Sequence, residues 1–352
     1  MRADGLCPAS VAPVRAPLGG DRGLRLGLIG FGHLAQQYYV PALRRLPGIA
    51  EIAVADPLPT SRAAAVRALD EVACFADAAA LLAVEPDAVV VATPPSTHLA
   101  LWNTLAARGV PVLMEKPFVL RGELARAARG PDVEPLLMID FNRRFWPPYV
   151  RFAELVHDGA VGTLRTIELA LHVDVASWCT VTAHRLAAGE GGVLYDLGSQ
   201  ALDVACAIAG AEPVRIVAHG TSRRWTCDHL HLEAELATGV RVVCDLAYET
   251  RTFERVVAVG TGGALALPDP NMRLHVIRAD GPLARARRRV ADVATLGYYG
   301  VCRGRSMGRA SIEAALARFV AAAASGAPFA PGFADAARST AWLDDAHVEF
   351  GP

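Results

Sequence analysis

The positions of apolar and polar residues divide this chain into two textures. From Leu24 onward, short apolar runs alternate with longer stretches whose apolar residues recur at helical spacing. Leu24–Ile29, Ile52–Ala55, Asp87–Ala92, Val110–Met114 and Leu136–Phe141 are predicted strands, and Leu34–Leu46, Ser61–Leu69 and Thr97–Ala107 are predicted helices. These strands are apolar on both faces, which places them in a parallel sheet covered by helices on both sides.

After Arg144 the pattern changes. Pro147 and Pro148 punctuate the chain, and a helix is expected to follow as far as His157. Longer strands with alternating faces then take over, at Arg165–Val175, Val214–His219, Leu230–Leu236, Val240–Tyr248 and Arg255–Val259. One helix, about Gly192–Ala209, is embedded among them, and the Ala-rich segments Ser311–Ala324 and Phe333–Ala346 read as closing helices. The expected organisation is a flexible tail over 1–23, a parallel-sheet domain over 24–143, and an α+β domain with a mostly antiparallel open sheet over 144–352. Such a sheet is expected to expose a broad apolar face, so a homodimer or homotetramer through that face is anticipated.

The first strand runs into Gly30-Phe31-Gly32-His33-Leu34-Ala35, a G-x-G-x-x-A turn that opens a helix. The first glycine permits the tight turn and the second lets the backbone approach a pyrophosphate. The small third residue lets helix and strand pack closely. Unpaired N–H groups at the helix start then face the phosphates. Asp56 closes the second strand about 20 residues further on, where an acidic residue contacts a ribose 2′-hydroxyl in dinucleotide sites. A Rossmann dinucleotide-binding domain follows. The Asp56 carboxylate favours NAD, and Arg62 keeps NADP open because a guanidinium pairs with a 2′-phosphate.

Composition adds one unusual residue. Among 35 Lys and Arg side chains, Lys116 is the only lysine, and it stands in Glu115-Lys116-Pro117 directly after an apolar strand. Arginine serves wherever a fixed charge suffices, whereas a lysine can lose its proton near neutral pH when its environment helps. Apolar residues make up 53% and charged residues 20% of the chain, as suits a soluble globular enzyme in the cytoplasm. The net charge of −1 gives no reason to expect nucleic acid or an anionic membrane as partner. Seven cysteines without C-x-x-C spacing argue for reduced thiols, and no metal site is expected. Arg285-Ala286-Arg287-Arg288-Arg289 reads as a solvated turn.

Taken together, the motifs resemble the glucose–fructose oxidoreductase / inositol dehydrogenase / MocA (Gfo/Idh/MocA) family. The turn Gly30–Ala35 and Asp56 fit it. The segment Ala92-Thr93-Pro94-Pro95-Ser96-Thr97-His98 resembles the family's loop beside the nicotinamide, although a lone His98 opening a helix is expected to cap or pack. Glu115-Lys116-Pro117 matches the signature tripeptide whose lysine is catalytic in the family. Phe141-Asn142-Arg143-Arg144-Phe145 resembles its domain junction. The run Gly191–Gln200 resembles the substrate-domain helix, with one departure: family dehydrogenases read Asp-x-Gly-x-His, and this chain has Asp196 and Gly198 but Gln200 in place of the histidine. An amide donates and accepts hydrogen bonds but carries no proton near neutral pH.

The resemblance implies an NAD(P)-dependent dehydrogenase or ketoreductase acting on a sugar, aminosugar or cyclitol. Heavy Arg and Ala usage suggests a bacterial setting such as natural-product biosynthesis. With the histidine gone, Lys116 becomes the first choice for the proton acceptor. A free lysine titrates near ~10.4 and a working base at roughly 7–8, and burial plus an oxidised nicotinamide both push in that direction. Gln200 is expected to position a substrate hydroxyl and Asp196 to orient Lys116 or bind a second hydroxyl, with His184 as a further proton carrier and Tyr195 as a core residue. A catalytically silent nucleotide sensor and a nonredox glycoside cleavage are the alternatives. If Gln200 stands in for a proton carrier, Gln200→His is expected to shift the pH–rate profile; an unchanged profile would put this position outside the chemistry.

Overall fold

The computed structural model describes residues 23–175, 192–223, 227–249, 252–267, 275–276 and 307–350. The expected tail therefore lies outside the described residues but for Gly23, as do His184 and the Arg285–Arg289 run. By its contacts the chain forms two compact units, Met1–Asn142 with Ile312–Ala341, and Arg143–Ser311 with Trp342–Pro352.

In the first unit, β1 (Leu24–Ile29) leads into helix α1 (residues 33–43), which is π-helical over Ala35–Tyr39. There follow β2 (Ile49–Ala55), α2 (Pro59–Ala68), β3 (Ala73–Phe75), α3 (Ala78–Leu82), β4 (Ala88–Val91), α4 (His98–Ala107), β5 (Val112–Met114) and β6 (Leu137–Ile139). All pairs in this sheet are parallel, in the order β3-β2-β1-β4-β5-β6. Every residue of β4, β5 and β6 is buried, as strands covered on both faces must be. The sequence pattern did not show β3 and α3. Both are short, and α3 is fixed by its cap, with the Asp77 side chain accepting the Ala80 N–H at 2.8 Å.

The second unit contains α5 (Pro147–His157), β7 (Leu164–Val173) and helix α6 (residues 192–209), which is π-helical over Leu194–Gly198. Strands β8 (Pro213–Thr221), β9 (His229–Leu236), β10 (Arg241–Tyr248), β11 (Phe253–Gly260), β12 (Gly263–Leu267) and β13 (His275–Val276) follow. Helices α7 (Met307–Ser325) and α8 (Phe333–Asp345) and strand β14 (His347–Phe350) close the chain. Among the described residues this sheet has the order β13-β12-β11-β7-β10-β9-β8-β14, antiparallel except for the β7–β10 and β8–β14 pairs.

Two expectations need correction. The outer face of this sheet is not broadly apolar. Along β9 the buried residues Leu230, Leu232, Ala234 and Leu236 alternate with His231, Glu233 and Glu235, which are exposed. Arg241 and Asp245 extend the charged face on β10, as do Glu168 on β7 and Arg255 on β11.

The closing helices also do not belong wholly to the second domain, because most of α7 and α8 packs in the first unit. Phe333 sits with its ring 5.9 Å from Trp102 and 5.5 Å from Phe118, inside the core that covers β4, β5 and β6. The chain leading into α8 is pinned by Ile139 N–H on the Pro331 carbonyl at 3.0 Å. Phe333→Ala is expected to destabilise this unit by about 3–5 kcal/mol. Urea denaturation followed by tryptophan fluorescence checks this, and a loss below about 1 kcal/mol would mean that α8 is not held through this ring.

Candidate active site

The sheet order of the first unit places a switch point between β1 and β4, where successive connections leave in opposite directions. Ligands bind outside the carboxyl ends of the strands at such a point. Gly30 follows β1 with φ +91°, and a Cβ there would lie 2.6 Å from the Ala92 carbonyl oxygen beyond β4. Gly32 has no atom within 4 Å of where its Cβ would stand, so the turn leaves a clear surface for a ligand to approach the backbone. Phe31 and Ala35 are fully buried and offer only main-chain groups, while His33 and Leu34 are half-buried.

Asp56 ties this turn to the end of β2. Its Oδ2 accepts the Phe31 N–H at 2.8 Å and its Oδ1 accepts the Leu58 N–H at 2.9 Å. The carboxylate thus sets the shape of the glycine turn, and its remaining lone pairs fit a ribose hydroxyl. Arg62 donates to the carbonyls of Asp56 and Pro57 at 2.7 and 2.9 Å. Thr93 and Thr97 share a hydroxyl–hydroxyl bond of 2.6 Å after β4, where Pro94 is exposed and Pro95 half-buried. His98 is fully buried, with Nδ1 2.8 Å from the Pro117 carbonyl and Nε2 3.1 Å from that of Thr93. It fastens the loop after β4 to the loop after β5 and presents neither nitrogen outward, so its part in a cofactor site is to hold the loop.

Lys116 stands just past the end of β5, half-buried and joined to Pro117 by a cis peptide. Beside it lies a cluster that sequence reasoning missed. Tyr39 Oη is 2.9 Å from Glu115 Oε1 and 2.6 Å from Asp140 Oδ2, and all three residues are buried. Burial pushes the Tyr39 phenol well above its ordinary range, and the charges of Asp140 and Glu115 push it further. Burial and then Glu115 raise the Asp140 carboxyl, against a smaller downward pull from Tyr39 and from Lys116. The available signal was an acid inside an apolar run, Leu136–Phe141.

In the second unit α6 carries Asp196, Gln200 and Asp203 at spacings that put them on one helix face. Asp196 Oδ2 accepts the Tyr248 hydroxyl at 2.9 Å. Gln200 Oε1 accepts from Arg143, and Arg143 forms a two-pronged pair with Glu254 at 2.9 and 3.0 Å. Tyr149 also donates to Glu254. Burial works against the Arg143 charge, but the Glu254 carboxylate outweighs it and holds the guanidinium charged. Arg144 pairs with both oxygens of Asp203. Tyr195 donates to Asp344, so it faces a different direction from Asp196, as expected of a core residue. Arg143, Tyr149, Tyr248 and Glu254 were not among the expected site residues. Glu254 had a readable signal, an acid in phase with the inward-facing Val256 and Ala258. Among the described residues no group of three or more His, Cys, Asp or Glu is arranged to hold a metal ion. No helix among them is long and apolar enough to cross a membrane.

Comparison with known proteins extends these observations. Residues 24–129 match a family described as "Oxidoreductase family, NAD-binding Rossmann fold", and residues 149–266 match the "GFO/IDH/MocA C-terminal domain". Inositol 2-dehydrogenase of Rhizobium meliloti is 28% identical over 207 residues, 55% of this chain and 58% of that protein. UDP-N-acetylglucosamine 3-dehydrogenase of Acidithiobacillus ferrooxidans is 32% identical over 210 residues, 56% of this chain and 58% of that protein. The chain thus spans about half the length of the curated relatives it matches. Among solved structures, an Agrobacterium radiobacter oxidoreductase in complex with NAD+, L-tartaric acid and magnesium superposes with a TM-score of 0.73 at 22% identity. That match covers 92% of this chain and 95% of the other. A 3-ketoreductase from Actinomadura kijaniata, in complex with TDP-benzene and NADP, gives a TM-score of 0.70 at 20% identity, covering 94% and 100%. At these identities the two structures establish the fold.

The double use of Asp56 by the turn carries an expectation. Asp56→Ala removes an acceptor from two backbone N–H groups and is expected to weaken NAD binding roughly ten- to a hundred-fold, or about 1.5–3 kcal/mol. Isothermal titration calorimetry measures this directly, and an unchanged affinity would remove Asp56 from the nucleotide site.

Proposed function

This chain belongs to the Gfo/Idh/MocA oxidoreductase family, and we propose that it transfers a hydride between a nicotinamide cofactor and a ring carbon of a sugar, aminosugar or cyclitol. The observation that carries this reading is the place of Lys116. The chain's one lysine stands at the carboxyl end of β5, the strand next to β4, whose own end forms the nucleotide crevice with β1. Relatives named for dehydrogenating inositol and UDP-N-acetylglucosamine support the substrate class. The Asp56 carboxylate favours NAD by repelling a 2′-phosphate. Arg62, the residue that would favour NADP, has its guanidinium on two main-chain carbonyls.

The open approach at Gly32 and the tight turn at Gly30 fit a dinucleotide, and the N–H groups opening α1 hold its pyrophosphate. Asp56 takes a ribose hydroxyl, and Thr93, Pro94 and Pro95 border the nicotinamide. The bound nicotinamide supplies the hydride acceptor or donor. Lys116 takes the substrate's hydroxyl proton as the carbonyl forms and returns it in the reverse direction. Asp196 and Gln200 orient substrate hydroxyls. With its oxygen engaged by Arg143, Gln200 serves as an N–H donor.

Reduced-nicotinamide absorbance with NAD and a panel of sugars, aminosugars and cyclitols tests the reading. Lys116→Arg is expected to lower kcat by roughly 10²–10⁴-fold while NAD affinity is retained. Unchanged turnover in the variant would remove Lys116 from the chemistry. Tight NAD binding with no turnover on any panel member would instead identify a nucleotide sensor.

A further inference from the structure

Tyr39, Glu115 and Asp140 bring three oxygens together out of water, and their hydrogens do not suffice if both acids are ionised. The phenol has one hydrogen, with the Asp140 and Glu115 oxygens at 2.6 and 2.9 Å. One phenol hydrogen cannot serve both contacts, and ionised carboxylates are acceptors only, so one of the two acids must donate. Two like charges at such a separation, both buried, do not ionise together. Asp140 adds a further observation, because its Oδ1 is buried without a hydrogen-bond partner among the described residues. A charged carboxylate bears such an orphan oxygen at high cost, and a neutral acid does so more easily.

We propose that Glu115 and Asp140 are positioning residues that share one proton and so keep a single negative charge beside Lys116. The consequence for catalysis rests on the role proposed for Lys116. Among the described residues, the titratable groups near the pair include Tyr39 from α1, Lys116 after β5, and His98 from α4, whose ring reaches the Pro117 carbonyl. Tyr39 keeps its proton, and His98 is engaged with main-chain oxygens. The charge of the pair acts on Lys116 at the end of β5. Because the pair already holds its proton, this charge stays at one over a wide pH range.

The chain's single lysine makes a direct test possible. Protein labelled with ¹³C-lysine gives one ε-carbon signal, and its titration reports Lys116 alone, with no turnover required. Asp140→Asn and Glu115→Gln each replace a proton-sharing acid by a neutral amide and leave one carboxylate, so the midpoint for Lys116 is expected to stay in place. The double variant removes the pair's negative charge and is expected to lower the midpoint by roughly one to two pH units. A single variant that shifts the midpoint as far as the double one does would overturn the proposal, as would a double variant that shifts nothing. Should the double variant fail to fold, infrared difference spectra of native minus single-variant protein at neutral pH decide the matter. A protonated-carboxyl band in the native protein that is lost in both single variants supports the shared proton, and its absence from the native protein refutes it. Neither readout depends on catalysis, so an inactive Lys116→Arg and a failed proton count remain separate results.

Discussion

A carboxylate taken out of water must be given a proton, a cation or a set of N–H donors, and this constraint organises both units of the chain. Asp56, buried at the end of β2, takes two backbone N–H groups and thereby fixes the glycine turn. Glu115 and Asp140 both take the Tyr39 phenol. In the second unit Glu254 takes Arg143 and Tyr149, Asp203 takes Arg144, and Asp196 takes Tyr248. Each buried acid is therefore also a device for placing a neighbour: a turn, a lysine, an amide.

The choice between lysine and arginine follows the same logic. Arg143 and Arg144 answer buried acids with permanent charges in fixed two-pronged geometry, which suits residues that hold others in place. Lys116 is the one strongly basic side chain of a type that can give up a proton near neutral pH, and it stands next to the buried acids Glu115 and Asp140. Gln200 fits this division of labour. Where the family resemblance leads one to expect a histidine, this chain has an amide whose oxygen is held by Arg143, a group suited to orienting a hydroxyl.

Much of the first unit was legible because its signals are local. Gly30–Ala35 is a continuous motif, and β1, β4, β5 and β6 are apolar runs that need no knowledge of their partners. The short β3 and α3 gave too few residues for a period to show. The outer face of the second sheet was misjudged because an open sheet suggests an apolar face. The alternation along β9 had in fact already assigned its exposed positions to His231, Glu233 and Glu235.

The sequence by itself determined the order of the longer elements, the nucleotide turn with Asp56, and the chemical individuality of Lys116. Each depends on residues adjacent in the chain or on residue type alone. Only the tertiary structure decided which acids meet which partners. Tyr39 and Asp140 are 101 positions apart, and Arg143 and Glu254 are 111 apart. It also decided that the Phe333 ring packs against Trp102 and Phe118. Helical periodicity reports that a helix has an apolar face, but not which core that face will join. A buried charge likewise demands a partner without naming it, and the fold alone supplies the address.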